Sequence, residues 1–193
     1  LGVISVLHTW GQQLSFHPHV HCIVSGGGIT EKNQWKEAKK SQWNFLFPVE
    51  AMMEVYRGRF IHQLQRLKQK GQLQYKEDAA MWEKLTRQLA GQDWVVYAKQ
   101  PFGGPAQVVE YLGRYTHKVA ISNHRIKAIA DNGDVTFVYK DYADGNNEKQ
   151  MALPAKEFIR RFEQHILPKG FCKIRHYGYL NNRGRKTRIK AIH

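Results

Sequence analysis

His17, His19 and His21 stand on alternate residues in the stretch HPHVHCIV, and this spacing dictates the local backbone. In a β-strand successive side chains point to opposite faces, so the three imidazoles share one face while Pro18, Val20 and Cys22 take the other. The apolar run that follows and the glycines of GGGIT agree with a strand and its flexible exit. Four residues of strand span ~13 Å, so His17 and His21 cannot share one metal ion, whereas adjacent same-face histidines can. Of the two adjacent pairs we favour His19 with His21, because Val20 between them is apolar and is expected to face a core. Pro18 marks the strand's ragged start.

Upstream, the β-branched stretch GVISVLH (residues 2–8) reads as a buried strand, and Gly11 with its polar neighbours marks a turn. A hairpin centred between Gln13 and Leu14 puts His8 opposite His19, with β-carbons roughly 5 Å apart. A slip of one residue would put them on opposite faces. His8, His19 and His21 together form a three-imidazole face, and three protein ligands with open positions are the arrangement of a catalytic metal site. Gln12 and Gln13 are substitutes for His8, since an amide oxygen also binds hard cations. The plain alternative is a set of surface histidines on a half-buried sheet.

The chain's 193 residues are enough for one sizeable domain with a real core. Thirty Lys and Arg against sixteen Asp and Glu give a formal charge of +14, which favours a polyanionic partner, nucleic acid before acidic membrane. No apolar run approaches a transmembrane length and no signal peptide is visible, so no membrane partner is expected. The two cysteines, Cys22 and Cys172, are far apart, which suits a reducing cytoplasm rather than a disulfide framework. The sequence opens inside a strand without an initiating Met and is expected to be a fragment of a longer protein.

Further along, Val49 to Lys70 reads as a helix with Met52, Met53, Tyr56, Phe60, Leu64 and Leu67 near helical spacing and Arg57, Arg59, Arg66, Lys68 and Lys70 on its other face. A second helix is expected from about Lys76 to Leu89, a short strand at WNFLFP, a strand at Trp94–Lys99, and a helix from about Ala106 to Thr116 opened by Pro105. HRIKAIADNGDVTFVYKDY reads as a hairpin turned at DNG, and LPAKEFIRRFEQHIL as another long helix. The mixed order predicts an α+β fold with an antiparallel sheet covered by helices. Cys22 and the aromatic rings of Trp10 and Phe16 are expected in the core, whereas Tyr177 is a candidate for stacking on bases.

A second constellation lies in VVEYLGRYTHKV. Tyr111 and Tyr115 are four residues apart, one turn apart on a helix face. A phenol with pKa near ~10 attacks a phosphodiester well only when a cation polarises the phosphate and stabilises the developing charge. Two such hydroxyls in one site permit two successive transesterifications. Core packing is the competing account, but Gly113 within the helix costs about 1 kcal/mol relative to alanine and suggests a close approach to the backbone. A His-hydrophobic-His strand, a tyrosine-pair helix and a strongly basic chain make one coherent device for cutting single-stranded DNA.

The stretches LHTWGQQLSFHPHVHCIVSGGG, VVEYLGRYTHKVAISN and GFCKIRHYGYL resemble the two-tyrosine transposases of the insertion-sequence-ninety-one class, within the HUH endonuclease superfamily, where U is a hydrophobic residue. The resemblance implies an HUH-like antiparallel sheet with the His-x-His motif on a central strand, flanked by helices. It implies His19 and His21 as ligands of a divalent ion, Mg²⁺ or Mn²⁺, with His8 in the place where related relaxases carry a third histidine. It also implies Tyr111 and Tyr115 as nucleophiles that form a 5′-phosphotyrosine link and release a 3′-hydroxyl during rolling-circle transposition. The partner would be single-stranded DNA at transposon ends and target, and an upstream cysteine-rich zinc-binding segment would be expected.

Arg114, His117 and Lys118 are candidates for holding a phosphate. The basic tail, with Arg175, Arg183, Arg185 and Lys186, is the candidate for salt-sensitive backbone contacts. We expect a catalytic domain over residues 1–170 and a basic extension over 171–193. A replication initiator or relaxase, or a transposase-derived DNA-binding module without catalysis, is the alternative reading.

Overall fold

The structure is a computed structural model that describes residues 1–38, 46–73, 78–116 and 119–190, excluding the side chains of 114–116. In chain order its elements are β1 (Gly2–Trp10), β2 (Phe16–Val24), β3 (Gly27–Ile29), β4 (Trp35–Glu37), α1 (Val49–Gln69), α2 (Ala79–Gly91) and α3 (Pro105–Thr116). There follow β5 (Ile126–Ile129), β6 (Val135–Asp141), β7 (Asn147–Leu153), α4 (Ala155–Glu163), β8 (Ile174–Gly178) and α5 (Arg185–Lys190). Two compact units result, one from residues 1–37 with 102–193 and one from residues 38–101.

The first unit is α+β with antiparallel sheets, as expected. β1 and β2 pair with His8 opposite His19 and Val6 opposite His21, the register that follows from a centre between Gln13 and Leu14. β8 pairs with the other side of β1, from Gly2 opposite Gly178 to Val6 opposite Ile174. Gly178 has φ +62°, and a Cβ there would fall 1.7 Å from the Leu1 carbonyl oxygen, so only glycine allows this approach. The sheet order is therefore β2-β1-β8, which corrects one expectation: among the described residues the His-x-His strand is an edge and β1 is the centre. A strand drawn from the C-terminal segment, beyond residue 170, takes the place beside β1.

The other three-stranded sheet is β5-β6-β7. The DNG turn joins β5 and β6, with Gly133 at φ +86° and its N–H donating to the Ala130 carbonyl at 2.8 Å. β7, of sequence NEKQMAL, carries little strand propensity of its own and is made a strand by pairing with β6. The core of this unit joins Leu14 and Phe137, both fully buried, to Ala120, Ile121 and Leu153, with Trp10, Ile126, Met151 and Phe158 packed around them. Burial of each large side chain contributes about 1.5–3 kcal/mol.

In the second unit α1 spans nearly the expected length, and α2 begins at Ala79, where the Asp78 carboxylate accepts the Met81 N–H at 2.8 Å. Residues 74–77, where the helix start was expected, and 43–45 of WNFLFP lie outside the described residues. Trp94–Lys99 is not a strand: it pairs with no other strand among the described residues, and Val95 and Tyr97 are 85% and 80% exposed. Its start is anchored where the Trp94 indole donates to the Leu89 carbonyl at 2.8 Å and packs against Tyr56 and Phe60.

Burial along β2 is the reverse of the expected pattern. His19 and His21 are half-buried, whereas Val20, Cys22 and Val24 are exposed. The reason is α3, which lies against β1 and brings Tyr111 to His21 on the histidine side. Phe16 is likewise exposed, at 57%, because it sits where the edge strand begins, stacked over His165.

Candidate active site

β1 and β2 together place His8, His19 and His21 so that one potential ligand atom from each lies within 4.8 Å of the others. His8 and His19 are directly opposed, and His21 is two residues further along the same face of β2. The ring centroids are 5.5 Å apart for His8 and His19, 4.7 Å for His8 and His21, and 4.9 Å for His19 and His21. His8 is buried and stacks on the Trp10 indole at 4.7 Å. His17, although on the same face, contributes its backbone instead of its ring. Its carbonyl lies 2.7 Å from His19 Nδ1, and because a carbonyl only accepts, Nδ1 carries the proton and Nε2 keeps its lone pair for a cation.

Burial, with the neighbouring His8 and His19 adding their charge, lowers the His21 pKa from 6.5 to about 4. His21 is therefore neutral at physiological pH, the form a metal requires. Three imidazoles that each offer a ligand atom within 4.8 Å of the others fit a divalent metal that keeps open positions for water and phosphate oxygen.

α3 brings the tyrosine. Pro105 occupies its first turn, and the Gln107 side chain accepts the Gly103 N–H at 2.7 Å just ahead of it. The Tyr111 hydroxyl lies 3.0 Å from His21 Nδ1, and its ring packs against Phe102. Tyr115 sits one turn further along α3, in the last turn before residues 117–118. Its side chain and that of Arg114 lie outside the described residues, as do His117 and Lys118. A Cβ at Gly113 would meet nothing within 4 Å, so no described part of this chain makes the close approach its presence suggested.

Gln12 is occupied elsewhere, its amide nitrogen donating to Tyr142 Oη at 2.9 Å and its amide oxygen accepting the Lys140 N–H at 3.4 Å. Arg175, on β8, is exposed and pairs with Ser5, so strand alternation puts it on the sheet face away from His8. Tyr177, paired with Val3, shares that face. Arg183, Arg185 and Lys186 are exposed at and within α5.

The family model described as "Putative transposase" matches residues 2–188. The chain belongs to this transposase family. The transposase-family chain is 43% identical over 196 residues to "Putative transposase y4qJ" of Sinorhizobium fredii (strain NBRC 101917 / NGR234), a match covering 98% of this chain and 48% of that protein. It is 30% identical over 189 residues to the "Transposase for insertion sequence element IS801" of Pseudomonas savastanoi pv. phaseolicola, covering 95% of this chain and 44% of that protein. The chain thus spans about half the length of the curated relatives it matches. No solved structure matches it.

Some residues that contact the hairpin of this candidate site carry no sequence signal. The carbonyls of the β1–β2 turn accept hydrogen bonds from Arg125, Arg161 and His165, which are 113, 148 and 151 residues away in sequence. Only the assembled fold brings them there.

Proposed function

We propose that the chain is the catalytic part of a metal-dependent transposase that nicks single-stranded DNA and transfers the strand by tyrosine transesterification in rolling-circle transposition. The observation that carries this reading is the Tyr111 hydroxyl, 3.0 Å from the ring of His21 within a cluster of three histidines that can hold a metal. A hydroxyl beside a cation site is the pairing that phosphodiester attack by a phenol requires.

In this reading Tyr111 and Tyr115 are the nucleophiles. The tyrosyl oxygen forms the new bond to phosphorus, the bond from phosphorus to the 3′ oxygen breaks, and the phenolic proton is accounted for on the departing 3′-hydroxyl. The protein is left with a 5′-phosphotyrosine, and the second tyrosine serves the subsequent transfer. His8, His19 and His21 would hold a divalent ion, Mg²⁺ or Mn²⁺, which polarises the scissile phosphate and offsets its developing charge when bound. Arg114, His117 and Lys118 sit next to the tyrosines in sequence and take the phosphate. Arg175, Arg183, Arg185 and Lys186 contact the DNA backbone, with affinity that falls as salt rises. The charge of +14 suits this substrate, and no helix among the described residues is long and apolar enough to cross a membrane. We place the reaction in the bacterial cytoplasm, on DNA of the nucleoid.

The test is a denaturing gel of single-stranded oligonucleotides from the element's ends, with Mn²⁺ or Mg²⁺, for wild type, Tyr111→Phe, Tyr115→Phe and the double variant. A metal-dependent adduct that resists denaturant and disappears in the double variant is the expected result. DNA binding without an adduct in the wild type would instead support a binding module derived from a transposase.

A further inference from the structure

We propose that Arg125, Arg161 and His165 form a clamp on the β1–β2 turn that sets the register of the histidine strands and so positions His8 and His19. Three consecutive turn carbonyls each accept a side-chain N–H from the rest of the unit. The Arg125 guanidinium donates to Gln12, Arg161 donates to Gln13 at 3.1 Å, and His165 Nε2 donates to Leu14 at 3.2 Å. Because the Leu14 carbonyl only accepts, His165 Nδ1 is left to accept from the Thr9 hydroxyl at 3.2 Å, so one imidazole grips both arms of the hairpin. Thr9 is buried and adjoins His8, and His165 also packs edge-on against Trp10, which stacks on the His8 ring.

The hairpin has two features that such a device offsets. His8 pairs with His19, but Trp10 pairs with Phe16, so two steps along β1 match three along β2 and a bulge separates the histidine pair from the turn. The turn closes a three-residue loop with its own backbone bonds, Leu14 N–H to the Gly11 carbonyl at 3.2 Å and Gly11 N–H to the Ser15 carbonyl at 3.0 Å, but it holds Leu14 at φ +57°, an uncommon and costly conformation for a leucine. A slip of one residue would carry His19 and His21 to the opposite face from His8. Side chains from the segment ahead of β5, from α4 and from the turn after α4 oppose such a slip. Arg161 is itself held by Glu157, whose carboxylate accepts its Nε–H at 2.7 Å, and Arg125 also donates to the Val138 carbonyl at 2.8 Å.

This inference rests on the metal reading above, and its test separates the two. Co²⁺ binding is measured by isothermal titration for wild type, His165→Leu, His165→Gln, Arg161→Met and Arg161→Lys, at a temperature where circular dichroism shows each protein folded. Removing a donor is expected to weaken Co²⁺ binding about 10-fold, as for other residues that orient metal ligands without touching the metal, while the Gln and Lys variants, which still donate, stay near wild type. Folded Leu and Met variants that bind Co²⁺ as tightly as wild type would overturn the clamp. Should His165→Leu not fold, Arg161→Met decides. Wild type that binds no Co²⁺ would refute the metal reading instead. The clamp is then read from the cross-strand nuclear Overhauser contacts between His8 and His19, whose persistence in Arg161→Met would overturn it.

Discussion

Leu14→Ala perturbs the point where the hairpin meets the core. Leu14 is fully buried among Ala120, Ile121, Phe137 and Leu153, so truncation leaves a cavity as well as losing transfer energy, a combination that costs about 2–5 kcal/mol. For a chain of this size each kcal/mol lowers the melting temperature by roughly 2–4 °C, giving a fall on the order of 10 °C. The backbone adds a second, sharper expectation. Leu14 lies at φ +57°, where alanine is strained and glycine is not. Leu14→Gly is therefore expected to be at least as stable as Leu14→Ala, and more so by up to about 1 kcal/mol, the reverse of the order at ordinary positions. Urea unfolding followed by circular dichroism at 25 °C gives both numbers from the midpoints at unchanged slope. A cost below about 1 kcal/mol for Leu14→Ala, or a glycine variant clearly less stable than the alanine one, would refute the reasoning.

Acid should destabilise the metal-free protein before its carboxylates titrate. His21 has a pKa of about 4 in the fold against 6.5 in a free chain. Between those values the unfolded chain binds more protons, so stability is complete above about 6.5 and is lost as pH falls toward 4. Thermal melts at pH 7, 5.5 and 4.5 should show this loss in wild type and a flatter profile in His21→Asn; parallel profiles would contradict it. In the second unit, Asp78→Ala removes the acceptor of the Met81 N–H and should cost about 1 kcal/mol, read as faster amide exchange in the first turn of α2. Tyr111→Phe deletes one hydroxyl at the half-buried site, so its melting temperature should stay within a few degrees of wild type while any adduct through Tyr111 is lost.

Much of this site was legible in the sequence because it is local. Alternation fixes the shared face of His19 and His21, and the midpoint of a single hairpin places His8 opposite His19. The DNG turn and the Pro105 helix start are equally short-range signals. What was not legible depends on distant pairings. β8 makes β1 central and, among the described residues, leaves β2 at an edge, although nothing in IRHYG names its partner. The apolar look of Val20 and Cys22 suggested a buried face, but burial follows α3, which packs on the histidine side instead. Trp94–Lys99 has strand-like residues but joins no ladder among the described residues, and the Trp94 indole anchors its start instead.

The central claim is covalent chemistry at tyrosine, and peptide mass spectrometry of the nuclease-trimmed adduct tests it most directly. The account predicts nucleotide attached through a 5′-phosphate to Tyr111 or Tyr115, formed only when a divalent metal is present. Nucleotide on any other residue, or metal-dependent cleavage of the cognate strand that leaves both tyrosines unmodified throughout the time course, would contradict it.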